Sequence, residues 1–321
     1  MRRRVLIFVA AGLAVAVGGL LAVRYLVPAA GQATRSPGRD DDPVVPVRTD
    51  SRAAAPEARV RIIGVTGEVE RRRGGRTWAA ARVGDTLNQE EALRTGKRGS
   101  ADLKVGDRSR LTVTESTEVT VREITRSLHR FRLAHGRLSV NYGRQGDRRI
   151  RIETEGGAVA ETAEGQFSVL RTPRAVAVAT KTGTVDLRAA NRKVKVKPGE
   201  QAVAEDGRPP APAMAIPKRV LLQIAGIASE PRKVTQRFTA VEGRTRPGNR
   251  VLVGGREVAV DRRGRFVVRV PLKEGRNRIP VTIEDPSGRR RTKLLEYFVV
   301  ISNEPIEKIK INWGARKKKK G

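Results

Sequence analysis

The residues of this sequence that are best suited to chemistry are arginines and lysines that stand in short runs. Several guanidinium or ammonium groups within one short segment attract anionic groups such as phosphate, sulfate and carboxylate. We therefore predict that these runs bind anions or a protein partner. They are Arg71, Arg72 and Arg73; Arg148, Arg149 and Arg151; Arg289, Arg290 and Arg291; and Lys317, Lys318, Lys319 and Lys320.

The whole chain is strongly basic. Its 321 residues include 66 Lys and Arg against 34 Asp and Glu, which gives a formal net charge of +32. Such a surface attracts polyanions, which include nucleic acid, anionic lipid, lipopolysaccharide and acidic wall polymers. The basic residues are spread along the chain and aromatic residues make up only 3%, so stacking platforms for single-stranded nucleic acid are scarce. The composition favours a broadly positive surface over sequence-specific reading of nucleic acid.

Residues for catalysis or metal binding are few. His129 and His135 are the only histidines, and a strand would hold them about 20 Å apart, so we expect two exposed strand histidines and no metal site. Asp85 and Asp107 could act as paired carboxylates in acid–base catalysis, but both fall in predicted turns with arginines nearby. The chain has no cysteine. The sequence therefore predicts a protein that is not an enzyme and that holds no cofactor.

A long apolar run lies near the N-terminus. Residues 5–23 are 19 consecutive apolar residues behind the basic residues 2–4, and a helix of this length spans about 28 Å, close to the bilayer core of about 30 Å. Basic residues favour the cytoplasmic side. We predict a single-pass signal-anchor at residues 5–27 of a bacterial inner membrane protein, with residues 1–4 cytoplasmic and the bulk periplasmic. The alternative is a cleaved signal peptide and secretion to the periplasm.

The rest of the chain divides by composition. Residues 28–59 are rich in Pro, Ala, Gly, Asp and Arg without hydrophobic periodicity, which indicates a disordered linker. Prolines crowd residues 207–217, which indicates an extended hinge, and residues 303–321 form a basic tail. Between these segments we predict two β domains, at residues 60–206 and 218–302.

Both predicted domains show the two-residue alternation of β-strands. Residues 131–133 (FRL), 150–152 (IRI) and 279–283 (IPVTI) alternate apolar side chains with others. Gly254-Gly255 separates residues 251–253 (VLV) from residues 256–258 (REV) and is a signal for a two-residue hairpin. The predicted fold is all-β, with many short strands in the first domain and a small immunoglobulin-like β-sandwich in the second.

A series of short motifs runs through the first predicted domain. They are GVTGEV at residues 64–69, Trp78 with VGDTL at 83–87, LRTG at 93–96 with ADL at 101–103, GDRSRL at 106–111 and PGEQ at 198–201. In this order they resemble the FecR-like domain family over about residues 61–204, although Arg108 stands where the family usually has glycine. We expect Trp78 to be a core or strand-edge anchor, and the alternative role is a ligand platform.

The second predicted domain carries a separate set of motifs. They are VEGRT at residues 241–245, PG at 247–248, VAVD at 258–261, GRF at 264–266 and GRN at 275–277. This set resembles glucodextranase-type bacterial immunoglobulin-like modules.

The FecR resemblance implies a membrane-anchored regulator. In that family a periplasmic domain receives a signal from an outer-membrane transporter, and a cytoplasmic N-terminal segment controls a sigma factor. The four residues before the predicted span are too few to hold a sigma factor. The leading hypothesis is therefore a non-enzymatic, membrane-tethered envelope scaffold that binds a partner protein or an anionic polymer. The alternative is a FecR-type transmembrane signalling regulator of a sigma factor or transport system that works with a partner subunit. Nucleic acid is not an expected partner, because the predicted location is outside the cytoplasm.

Overall fold

A computed structural model describes residues 59–225 and 232–300 of the chain. All regular secondary structure in these two ranges is β-strand, and neither range contains a helix that could cross a membrane. The all-β prediction is therefore confirmed for these residues. The predicted membrane span at residues 5–27 and the predicted basic tail at 303–321 lie outside them.

The described residues form 25 strands. The first seventeen are β1 (Val60–Thr66), β2 (Val69–Arg72), β3 (Ala79–Ala80), β4 (Thr86–Leu87), β5 (Ala92–Thr95), β6 (Ser100–Val105), β7 (Ser109–Val113), β8 (Glu118–Ile124), β9 (Leu128–Tyr142), β10 (Arg149–Thr154), β11 (Val159–Thr162), β12 (Gly165–Thr172), β13 (Ala175–Gly183), β14 (Val185–Ala189), β15 (Arg192–Val196), β16 (Glu200–Glu205) and β17 (Met214–Ala215). The remaining eight are β18 (Gln223–Ile224), β19 (Arg232–Val234), β20 (Phe238–Arg244), β21 (Arg250–Val253), β22 (Arg256–Val258), β23 (Arg265–Pro271), β24 (Gly275–Glu284) and β25 (Arg290–Val299).

Strands β1 to β17 form two sheets that share one strand. Sheet A has the order β4-β1-β6-β7-β9-β12-β13-β16-β17. Sheet B has the order β3-β2-β5-β8-β9-β10-β11-β14-β15. In both sheets the strands before β9 in the chain lie on one side of it and the strands after β9 lie on the other. Strand β9 therefore joins the two halves of this part of the fold.

The shared strand β9 changes sheet at Gly136. Residues 128–135 pair with β8 and β10 in sheet B, and residues 136–142 pair with β7 and β12 in sheet A. The buried side chains switch here from odd-numbered to even-numbered positions. Gly136 has a φ of +87°, and a Cβ atom there would lie 2.2 Å from the Thr117 Oγ1. Glycine meets both requirements, because it adopts positive φ readily and has no Cβ atom.

One hydrophobic core lies between sheets A and B. Leu103 of sheet A and Leu93 of sheet B are both fully buried members of it. The apolar residues of the predicted strands at 131–133 and 150–152 also belong to this core, which confirms the alternation read from the sequence. Burial of each such side chain stabilises the fold by about 1.5–3 kcal/mol.

His129 corrects one prediction, because it is buried and not exposed. Its side chain is 0% exposed, its Nδ1 lies 3.1 Å from the Tyr142 hydroxyl, and the two rings meet edge to face. His135 is exposed, as expected. The two histidines differ because His129 shares the core-facing positions of Phe131, whereas His135 stands next to the change of sheet at Gly136.

The predicted hinge is partly strand. Met214 and Ala215 pair with β16 at the edge of sheet A. The prolines at 209, 210 and 212 precede this pair, so they leave its backbone N–H groups able to join the ladder.

A second hydrophobic core is built by residues between Val220 and Val299. It lies between sheet C, with the order β18-β20-β23, and sheet D, with the order β19-β25-β24-β21-β22. The predicted hairpin is confirmed, because Gly254 and Gly255 both have positive φ and connect β21 to β22. We call this portion the C-terminal part (residues 218–225 and 232–300). Its identity as an immunoglobulin-like module remains a prediction.

Candidate functional site

The outer face of sheet A carries a regular set of polar side chains, which we call the polar array. Strand pairing in register sets its members side by side, and alternation along each strand turns them away from the core. The two rows of the array are Arg110, Asn141 and Gln166, and then Thr112, Ser139 and Ser168.

A cleft of about 510 Å³ lies over the polar array. Its remaining lining includes Lys181 of β13, Ile216 beside β17, and Ser287 of the C-terminal part. The cleft is therefore formed where the C-terminal part meets sheet A. Its volume lies within the range of about 300–1,000 Å³ that is usual for ligand sites.

The charges around the cleft are mainly positive. Arg110 and Lys181 line its two sides, on strands that are three inter-strand spacings, or about 14 Å, apart. Lys181 stands at a bulge of β13, so it has no partner residue on β12. The ion pairs between described residues include neither of these two cations. One carboxylate borders the Arg110 side, because Asp102 Oδ1 accepts a hydrogen bond of 2.6 Å from Thr112.

The C-terminal part covers the rest of the outer face of sheet A. Leu170 and Ala177 are paired neighbours on this face, outside the first core, and both are 0% exposed. A Cβ atom on Gly248 would lie 2.6 Å from Val203 Cγ2 and 3.1 Å from Ala177 Cβ. The Ser168 hydroxyl donates to the carbonyl of Pro286. Two loops of the C-terminal part are thus packed directly onto sheet A.

Glu284 lies at the centre of this junction and is 0% exposed. Its Oε1 accepts a hydrogen bond of 2.7 Å from Arg137 Nε, and its Oε2 lies 3.6 Å from Arg250 Nη1 and 3.3 Å from Arg290 Nη2. Arg137 belongs to β9, directly after Gly136, whereas the other two arginines belong to the C-terminal part. A buried carboxylate is tolerated only when cations or hydrogen bonds compensate it, and here three arginines do so.

Arg250 binds both parts of the chain at once. Its side chain is 2% exposed, and its guanidinium donates to the carbonyls of Glu115 and Ser116 at 3.4 and 3.2 Å. Its Nε donates to Glu257 at 3.1 Å. Burial raises the pKa of Glu257, and the Arg250 guanidinium opposes this rise. Arg250 therefore ties the turn after β7 to the C-terminal part.

The predicted run Arg289, Arg290 and Arg291 lies at this same junction. Arg289 donates to the carboxylate of Asp285 and to the carbonyls of Pro217 and Lys218. Arg290 pairs with Glu115 at 2.8 Å as well as with Glu284. Arg291 donates to the carbonyl of Val220. Arg290 thus holds the C-terminal part to the turn after β7, and Arg289 holds it to the hinge.

The two other runs within the described residues lie elsewhere, and their side chains are also held by ion pairs or hydrogen bonds. Arg71, Arg72 and Arg73 contact Asp85, Glu118 and Glu91 at 3.2, 3.7 and 3.8 Å. Arg149 and Arg151 share Glu161 at 2.8 and 2.7 Å, and Arg148 donates to Gln145 Oε1 and to the carbonyl of Arg126. The four lysines at 317–320 lie outside the described residues. The structure does not bring the described runs together, and their binding of anions remains a prediction.

Trp78 stands at the edge of sheet B, directly before β3. The guanidinium carbons of Arg72 and Arg94 lie 4.7 and 4.3 Å from the centre of its ring. Such cation–π contacts stabilise the packing of a partly exposed ring. The position agrees with the expected role of a strand-edge anchor.

The residues at the centre of the junction were missed from the sequence. In the local sequence pattern, Arg137, Arg250 and Glu284 look like ordinary charged residues on the exposed face of a strand. Their partners cannot be identified there, because they are distant in the chain. A usable signal was present in β12 and β13, where Val169-Leu170 and residues 175–179 are apolar at consecutive positions. Such runs indicate strands that are buried on both faces.

Comparison with known proteins identifies one domain. Residues 91–186 match the family model described as FecR protein, so this part of the chain carries a FecR domain and the predicted resemblance is confirmed there. No curated protein matches the chain. It is similar to two crystal structures, at 2.50 and 1.65 Å resolution, of a "putative anti-sigma factor" from Parabacteroides distasonis ATCC 8503, with 16% and 15% identity. Both alignments have a TM-score of 0.35 and cover 39% of this chain, which spans 59% of the length of those proteins.

Proposed function

We propose that this chain is a non-enzymatic regulator of the FecR type, which passes a signal from a protein partner in the bacterial envelope to a second partner across the inner membrane. The FecR domain at residues 91–186 carries the proposal. It favours the regulator over the envelope scaffold that led the hypotheses from the sequence, because signal transmission is what the family resemblance implies.

The junction between the FecR domain and the C-terminal part supports this role. A partner that fills the cleft would contact Arg110 of sheet A and Ser287 of the C-terminal part together. The ion pairs of Glu284 connect the C-terminal part to β9, which belongs to both sheets. A change at the cleft therefore has a direct packed route into the FecR domain.

The proposal includes the predicted signal-anchor at residues 5–27 as the route across the membrane. Its test replaces these residues in the full chain with an unrelated single span of equal length. Transcripts are compared among cells that carry the native chain, the swapped chain or no chain. We expect loss of the chain to change a limited set of transcripts, which the native chain restores and the swapped chain does not.

Amounts of both chains in the membrane fraction are matched by immunoblot, so that a difference in level does not imitate a loss of signalling. An unchanged transcript profile in cells without the chain would contradict a regulatory role. Full restoration by the swapped chain would contradict transmission through the span.

A further inference from the structure

We infer that the cleft over the polar array binds an extended, acidic peptide segment of a protein partner, with two carboxylate side chains at positions i and i+4. The inference rests on the proposed function for the existence of such a partner. It adds the chemistry by which the partner is recognised.

The spacing of the two cations sets the spacing of the acids. Arg110 and Lys181 stand on strands about 14 Å apart, and an extended peptide advances about 3.3 Å per residue, so four residues span about 13 Å. Side chains at i and i+4 of an extended chain also point to the same side. Two carboxylates at this spacing can therefore reach both cations at once.

The floor of the cleft suits a peptide backbone. Asn141 and Gln166 are paired neighbours between the two cations, and each amide offers two donor hydrogens and one acceptor oxygen. Ser139 and Ser168 in the next row are already held by Arg137 Nη1 and by the Pro286 carbonyl. The amides of Asn141 and Gln166 can therefore form hydrogen bonds with the N–H and C=O groups of a bound peptide. The two serine hydroxyls are fixed by the contacts that they already make.

Two features favour a peptide over an anionic polymer. The one aromatic residue among the lining residues, Phe167, is 4% exposed and belongs to the first core, so the cleft presents no ring face on which a sugar could stack. The carboxylate of Asp102 beside Thr112 would repel a densely charged polyanion at the Arg110 side. A peptide with two separated carboxylates places a single negative charge on that side and therefore meets less of this repulsion.

The test measures fluorescence anisotropy of labelled nonapeptides with the purified full-length chain in detergent. The peptides have a Ser/Thr/Val background and two glutamates at separations of one to six residues. We expect the tightest binding at a separation of four, and weaker binding as salt is added.

Charge reversal at each cation tests the site itself. Arg110→Glu and Lys181→Glu should each weaken binding at least about fivefold, the scale of one screened charge contact. The matched controls are Arg188→Glu and Lys195→Glu, which reverse exposed strand cations on sheet B and should leave binding unchanged. Circular dichroism confirms that each variant is folded.

Three results would overturn the inference. They are equal binding of the peptide with glutamine in place of both glutamates, equal binding by both cleft variants, and preferential binding of an alginate oligosaccharide. The peptide assay has no transcript readout, so it can fail while regulation stands, and regulation can fail while the peptide binds.

Discussion

Arg137 and Glu284 stand 147 positions apart in the sequence, yet Arg137 Nε and Glu284 Oε1 lie 2.7 Å apart where Glu284 is fully buried. Arg137 follows the glycine at which β9 changes sheet, and Glu284 ends β24. The pair joins the point at which β9 changes sheet to the C-terminal part. Its loss should cost far more than the loss of an exposed pair, because a buried charge would remain without compensation.

Replacement of Glu284 by alanine should therefore destabilise the chain strongly. Arg137 and Arg250 would lose their shared carboxylate inside the junction, and we expect a loss of about 3–5 kcal/mol in the free energy of unfolding. Urea denaturation measures it. The control is Glu155→Ala, which removes the exposed pair with Arg132 and should cost at most about 1 kcal/mol. Similar losses in the two variants would show that the junction is not a tight contact.

Replacement of Gly136 by alanine should destabilise the fold more than replacement of another glycine with positive φ. The added Cβ would lie 2.2 Å from Thr117 Oγ1 and 2.6 Å from the Ser116 carbonyl oxygen. We therefore expect backbone strain and overpacking together to lower the free energy of unfolding by about 3 kcal/mol. Gly146 has a φ of +60° with nothing within 4 Å of its added Cβ, and Gly146→Ala should cost only about 1 kcal/mol. Equal melting temperatures for the two variants would contradict the backbone geometry described at Gly136.

The buried His129 should make stability depend on pH. Burial, and secondarily the charge of Arg148, lowers its pKa from 6.5 to about 4. The unfolded chain then binds a proton that the folded chain does not between about pH 6.5 and 4, so stability is lost as pH falls through this window, by up to about 3 kcal/mol. Urea titrations at several pH values measure how the free energy of unfolding depends on pH. His129→Phe should remove this contribution to the pH dependence, whereas His135→Phe should retain it. A slope that is unchanged in His129→Phe would disprove the assignment.

The predicted anion-binding role of Arg149 and Arg151 can be tested through their geometry. They share the one carboxylate of Glu161, so this trio keeps one net positive charge. Arg149→Gln with Arg151→Gln should reduce the salt dependence of binding to heparin resin by about one unit of slope for each contacting arginine. Arg276 and Arg278 share Glu296 in the same way, and their double glutamine variant is the matched control. Equal effects of the two double variants would assign the binding to total charge and not to the predicted run.

Parts of the fold could be predicted because they depend on neighbours in sequence. Alternation identified Ile150 and Ile152 as core residues, and paired glycines identified the hairpin at Gly254. Gly136 is compatible with a turn as well, because a local pattern does not distinguish a turn from a bend within one continuous strand. The pairing of Arg137 with Glu284 depends on how two surfaces that are distant in the chain meet, and no short segment encodes that.

The cleft could not be predicted from the sequence either, for a related reason. Arg110 belongs to one of the FecR-like motifs, but its position opposite Lys181 follows from the register of four strands and from a bulge in β13. Asn141 and Gln166 become neighbours only through the pairing of β9 with β12. The chemistry of the site is therefore a property of the sheet and not of any motif.

The position of β9 in the middle of both sheets has a mechanical consequence. Among the described residues, every strand pairing between the half before β9 and the half after it runs through β9. Tension applied at Glu284 reaches β9 through Arg137, and it reaches the turn after β7 through Arg250 and Arg290. A pull on the strands before β9 therefore reaches the strands after it, through the ladders of the two sheets, only by way of β9.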